Sequence, residues 1–109
     1  MSRLTIHTVE SAPEAAQARV ATALKNNGFL PNLIGVLANA PTALEMYQEV
    51  GAINAKTSLT PAEREVVQIT AARIHGCDFC IAGHSAISLK KAGQTPDIVR
   101  ALQHGQPTN

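Results

Sequence analysis

The sequence predicts an all-α fold, and three observations carry that prediction. Gly, Pro and Asn punctuate stretches of helical length. Two of those stretches open with a Ser/Thr-Pro-Glu arrangement of the capping-box kind, proline lying in the first helical turn. Strands find little support, because apolar alternation is scarce and Ala and Leu outnumber the aromatic residues, which make up 3%.

Ser11-Ala12-Pro13-Glu14 places a capping hydroxyl, a first-turn proline and a reciprocal glutamate ahead of an Ala-rich helix, with Gly28 as its left-handed stop. Pro31 opens a second, short helix through Ile34 and Leu37. Pro41 opens a third through Leu44, Met46, Tyr47 and Val50, and Met46 and Tyr47 sit at core spacing as packing residues. Thr60-Pro61-Ala62-Glu63 repeats the capping box for a fourth helix that ends near His75, with Gly76 as its stop. A fifth helix runs from about Cys77 to Lys91, two lysines complementing the dipole of its last turn, with Gly93 beyond. Thr95-Pro96-Asp97 starts a sixth, carrying Ile98, Val99 and Leu102. The chain ends soon afterwards at "GQPTN", so the apolar stripe of this last helix needs a cover, from an oligomer or from further chain.

At 109 residues the chain reads as a single domain, residues 1–109, without internal repeats. A core is feasible at this size but thin, which makes burial against a partner chain an expectation. Apolar residues make up 45% and charged residues 16%, a globular mix. The net charge is +1 and no lysine or arginine cluster tracks a phosphate backbone, so nucleic acid is not an expected partner. No apolar run approaches the roughly 20 residues of a membrane helix, and "MSRLTIHTVE" lacks the features of a secretory signal. The expected compartment is the cytoplasm, where two cysteines are more often free, metal-binding or catalytic than a structural disulfide.

The chemistry concentrates in "HGCDFCIAGHSA", residues 75–86, which holds both cysteines. On a helix, Cys77, Cys80 and His84 stand at i, i+3 and i+7 and share a face. Residues i and i+3 are roughly 5 Å apart, within disulfide range. Cys77 lies at the helix N-terminus, where the dipole and free N–H groups favour a thiolate. Cys80 lies one turn from His84, which can accept its proton. On the fourth helix Glu65 shares a stripe with Ile69 and Ala72, facing the same way as apolar residues. If the two helices fold back about Gly76, Glu65 comes within reach of His84. A carboxylate beside an imidazole orients the ring and readies it for proton exchange.

"LTPAEREVVQITAARIHGCDFCIAGH" resembles the core motif of the alkylhydroperoxidase D-like group within the carboxymuconolactone decarboxylase family. That motif is a glutamate, eleven residues, Cys-x-x-Cys, three residues and a histidine, and here it falls on Glu65, Cys77, Cys80 and His84. "LPNLIGVLANAPTALEMY" also looks like the family's upstream helix pair, so the resemblance covers roughly residues 28–93. It implies an all-helical subunit assembling into trimers or hexamers, and thiol-dependent reduction of hydroperoxides without cofactor or metal. In the implied scheme Cys80 attacks the peroxide, Cys77 resolves the sulfenic acid to a disulfide, and a dithiol protein or small thiol reduces the pair. Glu65 and His84 form the implied proton relay. The best-studied peroxidases of the group carry a histidine immediately before the second cysteine, where this chain has Phe79, which cannot relay a proton. His75 stands as a substitute, although a helix C-terminal residue near the dipole accounts for it more simply.

Other readings of the same residues are a decarboxylase or isomerase using Glu65 and His84 as acid and base, a zinc site of two thiolates, an imidazole and a carboxylate, and a non-catalytic assembly module. No partners for His7 or His104 are identifiable from the sequence.

Overall fold

The computed structural model describes residues 2–107; Met1, Thr108 and Asn109, the last two closing the "GQPTN" terminus, lie outside the described residues. Among the described residues there are six helices and no strand: α1 Glu14–Asn27, α2 Asn32–Leu37, α3 Pro41–Asn54, α4 Pro61–Ile74, α5 Asp78–Lys90 and α6 Pro96–Gln103. They divide between two compact units, Met1–Lys56 and Thr57–Asn109. No helix of the described residues is long and apolar enough to cross a membrane.

In the first unit α1 buries Ala16, Val20 and Ala23, spaced by four and three residues on one stripe, against Ile34, Ala38 and Leu44. The alanines let the helices approach closely, and the few larger side chains supply most of the apolar area. Leu44, fully buried, is worth roughly 1.5–3 kcal/mol by its transfer from water. Arg19 on α1 reaches Gln48, Glu45 and Glu49 on α3 at 3.1, 3.6 and 3.8 Å. These partly exposed contacts add little beside the packing. Gly28 ends α1 with φ +77°, as its position in the sequence predicts.

Two expectations for this unit are overturned. Leu44 is the buried residue of α3, whereas Met46 and Tyr47 are 65% and 49% exposed and Val50 is exposed beside them. The helix carries apolar residues on more than one face, and the line through Leu44 is the one that packs on α1 and α2. The Ser11 capping box does not form either: Pro13 is the N-cap of α1 and no side chain caps it. Ser11 is engaged one turn earlier, its Oγ accepting the Thr8 N–H at 2.9 Å while Thr8 Oγ1 accepts the Ser11 N–H at 3.2 Å. A local side-chain-to-backbone pairing has outcompeted the cap.

In the second unit the Thr60 box forms in full. Thr60 Oγ1 accepts the Glu63 N–H at 3.1 Å, and Glu63 Oε1 accepts the Thr60 N–H at 2.9 Å. Arg64 is half-buried and donates to the Leu59 carbonyl at 2.9 Å. At the other end of α4 the chain turns through Gly76 at φ +71°. The Cys77 N–H bonds the Ala72 carbonyl and the Gly76 N–H the Arg73 carbonyl, at 2.9 and 3.3 Å. That pair of bonds is a Schellman motif, which only a left-handed residue can close, and glycine enters that region without a Cβ clash. Helix α5 then runs back along α4, and α6 packs on both. The apolar stripe of α6, expected to need an outside cover, has one: Val99 and Leu102 are buried within the chain, because α4 and α5 leave a trough between them.

The two bonds that Thr60 makes, the one from its backbone N–H foremost, hold the Glu63 carboxyl below its ordinary range. A depressed carboxyl stabilises the folded state above the unfolded value and loses that contribution as pH falls through the folded one. In denaturant titrations from neutrality to below about pH 4, wild type should lose stability relative to Glu63→Gln. Parallel curves would show that the box is electrostatically neutral.

Candidate active site

The two cysteines lie where α4 ends and α5 begins. Cys77 is the N-cap of α5, one residue before the helix proper, and its Sγ accepts the Cys80 N–H at 3.2 Å. Cys77 and Cys80 are joined by a disulfide with their Cα atoms 5.3 Å apart, as i and i+3 spacing allows. Both residues are half-buried. Phe79 between them is 52% exposed, and Asp78 is exposed in the first turn of α5.

The fold-back about Gly76 brings α4 against α5, and the stripe expected on α4 is the face that packs: Glu65, Ile69 and Ala72 are all buried. Glu65, 9% exposed, meets His84 of α5, with 2.7 Å between Oε2 and Nδ1. A carboxylate can only accept, so Nδ1 carries the proton in this contact, and Nε2 is the nitrogen left to gain or lose one. Among the described residues His84 makes no hydrogen bond with either sulfur. The structure therefore joins the four residues of the spacing pattern as two pairs, sulfur with sulfur and carboxylate with imidazole. His84 follows Cys80 by one helical turn.

Polar groups that the sequence reading passed over complete the surroundings. Ser85 and Ser88 are buried on the packed face of α5. Gln103 of α6 donates to Ser85 Oγ at 2.8 Å, and Ser88 donates to Gln94 in the loop before α6. These bonds tie α6 to the turn of α5 that carries His84, and two serines on the packed stripe of a helix are the signal that could have revealed them.

The remaining histidines separate cleanly. His75 is the C-cap of α4 and exposed, the position expected of it, and His104 is the exposed C-cap of α6. His7 has the partners that no sequence pattern revealed: Nδ1 lies 3.1 Å from Ser11 Oγ and Nε2 lies 3.0 Å from Asn39 Oδ1. The Asn39 amide nitrogen donates to the Thr5 and Val36 carbonyls, so Oδ1 is the acceptor and Nε2 the donor. Among the described residues no three or more His, Cys, Asp or Glu side chains are grouped to hold a metal ion.

The Glu65 contact makes a spectroscopic prediction. In nitrogen NMR of the imidazole, neutral His84 should show the Nδ1-protonated tautomer, the minor one for a free histidine, and Glu65→Leu should release it. An Nε2-protonated ring in wild type would contradict the contact.

Comparison with curated proteins finds no match to this chain. The sequence profile of the Carboxymuconolactone decarboxylase family matches residues 41–108, well over half of the chain. The match runs from α3 through α6 and contains Glu65, Cys77, Cys80 and His84. The chain belongs to the carboxymuconolactone decarboxylase family, which includes the alkylhydroperoxidase D-like proteins.

Proposed function

We propose that this protein is a thiol-dependent peroxidase that reduces organic hydroperoxides with the Cys77–Cys80 dithiol, assisted by Glu65 and His84. The observation that carries the reading is the half-buried Glu65–His84 hydrogen bond of 2.7 Å one helical turn from a cysteine pair able to close a disulfide. One thiolate attacks the peroxide, an alcohol leaves and a sulfenic acid forms. The second thiol condenses with it, releasing water and closing the disulfide. The two sulfurs supply both electrons, and a dithiol protein or small thiol restores them by exchange. Glu65 holds the Nδ1 proton, so that protons enter and leave the imidazole through Nε2. Phe79 takes no part in proton transfer, which leaves that role to the imidazole of His84, one turn from Cys80 on α5.

Reduced protein treated with one equivalent of an organic hydroperoxide should lose both free thiols and two hydrogens in mass. Glu65→Gln should slow this conversion about 10- to 100-fold at neutral pH, with unchanged helicity because Glu63 is the residue that caps α4. Thiols that survive peroxide while a lactone acid is decarboxylated would favour the acid–base reading of Glu65 and His84. Alkylating both cysteines should abolish a thiol reaction and spare an acid–base one.

The same reading includes assembly into a trimer or hexamer. Met46, Tyr47, Val50 and Ile53 are exposed along α3 at helical spacing, and apolar side chains grouped in this way support a subunit contact. Light scattering of the purified protein should give several times the mass of one chain, and a monomer at micromolar concentration would remove the proposal of assembly.

A further inference from the structure

We propose that Ser11, His7 and Asn39 form an acyl-transfer site in the first unit, with Ser11 as the nucleophile toward esters of good leaving groups. The site shares no residue with the cysteine pair and stands apart from the peroxidase reading. Two contacts run in series: Ser11 Oγ lies 3.1 Å from His7 Nδ1, and His7 Nε2 lies 3.0 Å from Asn39 Oδ1. A hydroxyl, a base within hydrogen-bond reach and a third group that orients the base are the pattern of an activated nucleophile. The direction of each bond is fixed. The Asn39 amide nitrogen donates to the carbonyls of Thr5 and Val36, at 2.7 and 2.9 Å, so Oδ1 faces the ring and accepts. Nε2 therefore holds the proton of the neutral imidazole, and Nδ1 turns its lone pair to Ser11. The Ser11 hydroxyl gives its hydrogen there, while its oxygen accepts the Thr8 N–H at 2.9 Å.

Burial and backbone suit the same role. His7 is half-buried, and its main-chain N–H is held by the Gly35 carbonyl at 3.1 Å, so the base sits on a fixed backbone. Ser11 is exposed, which leaves its oxygen open to a reagent. The Thr8 N–H bonds the oxygen on which charge grows as the proton leaves, and a donor to the charged form favours that form. In the proposed step Ser11 Oγ attacks the acyl carbon while its proton passes to His7 Nδ1. The ester C–O bond breaks, and the leaving alkoxide takes that proton to depart as alcohol. Water then attacks the acyl-serine, giving a proton to Nδ1, and the acid leaves as Ser11 regains its hydrogen. Asn39 touches none of the reacting atoms. It is a positioning residue, keeping the proton on Nε2 so that Nδ1 remains the base.

The test uses the full chain in its disulfide form, so that no thiol competes for the reagent. An alkyl fluorophosphonate captures an activated serine by the same attack, fluoride leaving in place of alcohol, and fragment mass spectrometry locates the adduct. In wild type the label should collect on Ser11 at least about tenfold faster than on Ser58, exposed in the loop before α4. His7→Gln should slow labelling of Ser11 about 100-fold, with helicity unchanged. Asn39→Leu should slow it as well, and Asn39→Asp, which keeps an oxygen toward Nε2, should restore it. Wild type should also hydrolyse p-nitrophenyl acetate faster than Ser11→Ala. Equal label on Ser11 and Ser58, or a His7→Gln variant labelled at the wild-type rate, would overturn the proposal. Equal rates for the two Asn39 variants would remove that residue from the site.

Discussion

Cys77 belongs to two helices at once, and the arrangement of the second unit follows from that double role. Its N–H ends α4 by bonding the Ala72 carbonyl, and its Sγ begins α5 by accepting the Cys80 N–H. Between these bonds there is room for one residue in the left-handed region, Gly76. The turn is therefore short and stiff, and the register of α5 on α4 is set within a fraction of a helical turn. A longer or looser connection would leave Glu65 and His84 free to miss one another.

The register places a carboxylate in an apolar stripe opposite His84, which bonds it. Glu65 is flanked on α4 by Ile69 and Ala72 and would be an unpaired buried acid without His84, a loss of about 1–3 kcal/mol for the missing hydrogen bond alone. Packing and chemistry thus demand the same contact. The serine bonds from α5 to Gln94 and Gln103 extend the logic, holding α6 against the turn that bears the imidazole. In the proposed reaction such fixation helps, because reorganisation during proton transfer is what a positioned environment avoids.

The first unit follows a different rule. Its core is built from alanines around a few larger side chains, and its N-terminal segment is pinned by polar contacts instead. The His7 N–H bonds the Gly35 carbonyl at 3.1 Å, and a Cβ at Gly35 would come within 2.7 Å of the His7 carbonyl oxygen. The close approach of backbone to backbone is what glycine makes possible there. Meanwhile α3 turns Met46, Tyr47 and Val50 outward, so this unit spends its largest apolar side chains on its surface.

The sequence by itself determined the helices, their order and most of their ends. Thr60, Gly28, Gly76 and Thr95 act through bonds within a few residues of themselves, and such local bonds are readable from spacing. The pairing of Glu65 with His84 was legible for the same reason, since a two-helix hairpin with a glycine stop has essentially one register. Three things needed the tertiary structure. Ser11 had two local partners to choose from, and docking of the N-terminal segment on α2 decided for the Thr8 turn, which also gave His7 its partners in Ser11 and Asn39. Helix α3 offers several apolar faces, and only the position of α1 and α2 selects Leu44 for burial over Met46 and Tyr47. The stripe of α6 looked unpartnered because periodicity shows that a face is apolar without showing what lies across from it. In each case the deciding partner is distant along the chain or one of several equivalent choices, so the energy that decides is packing energy, which no local pattern carries.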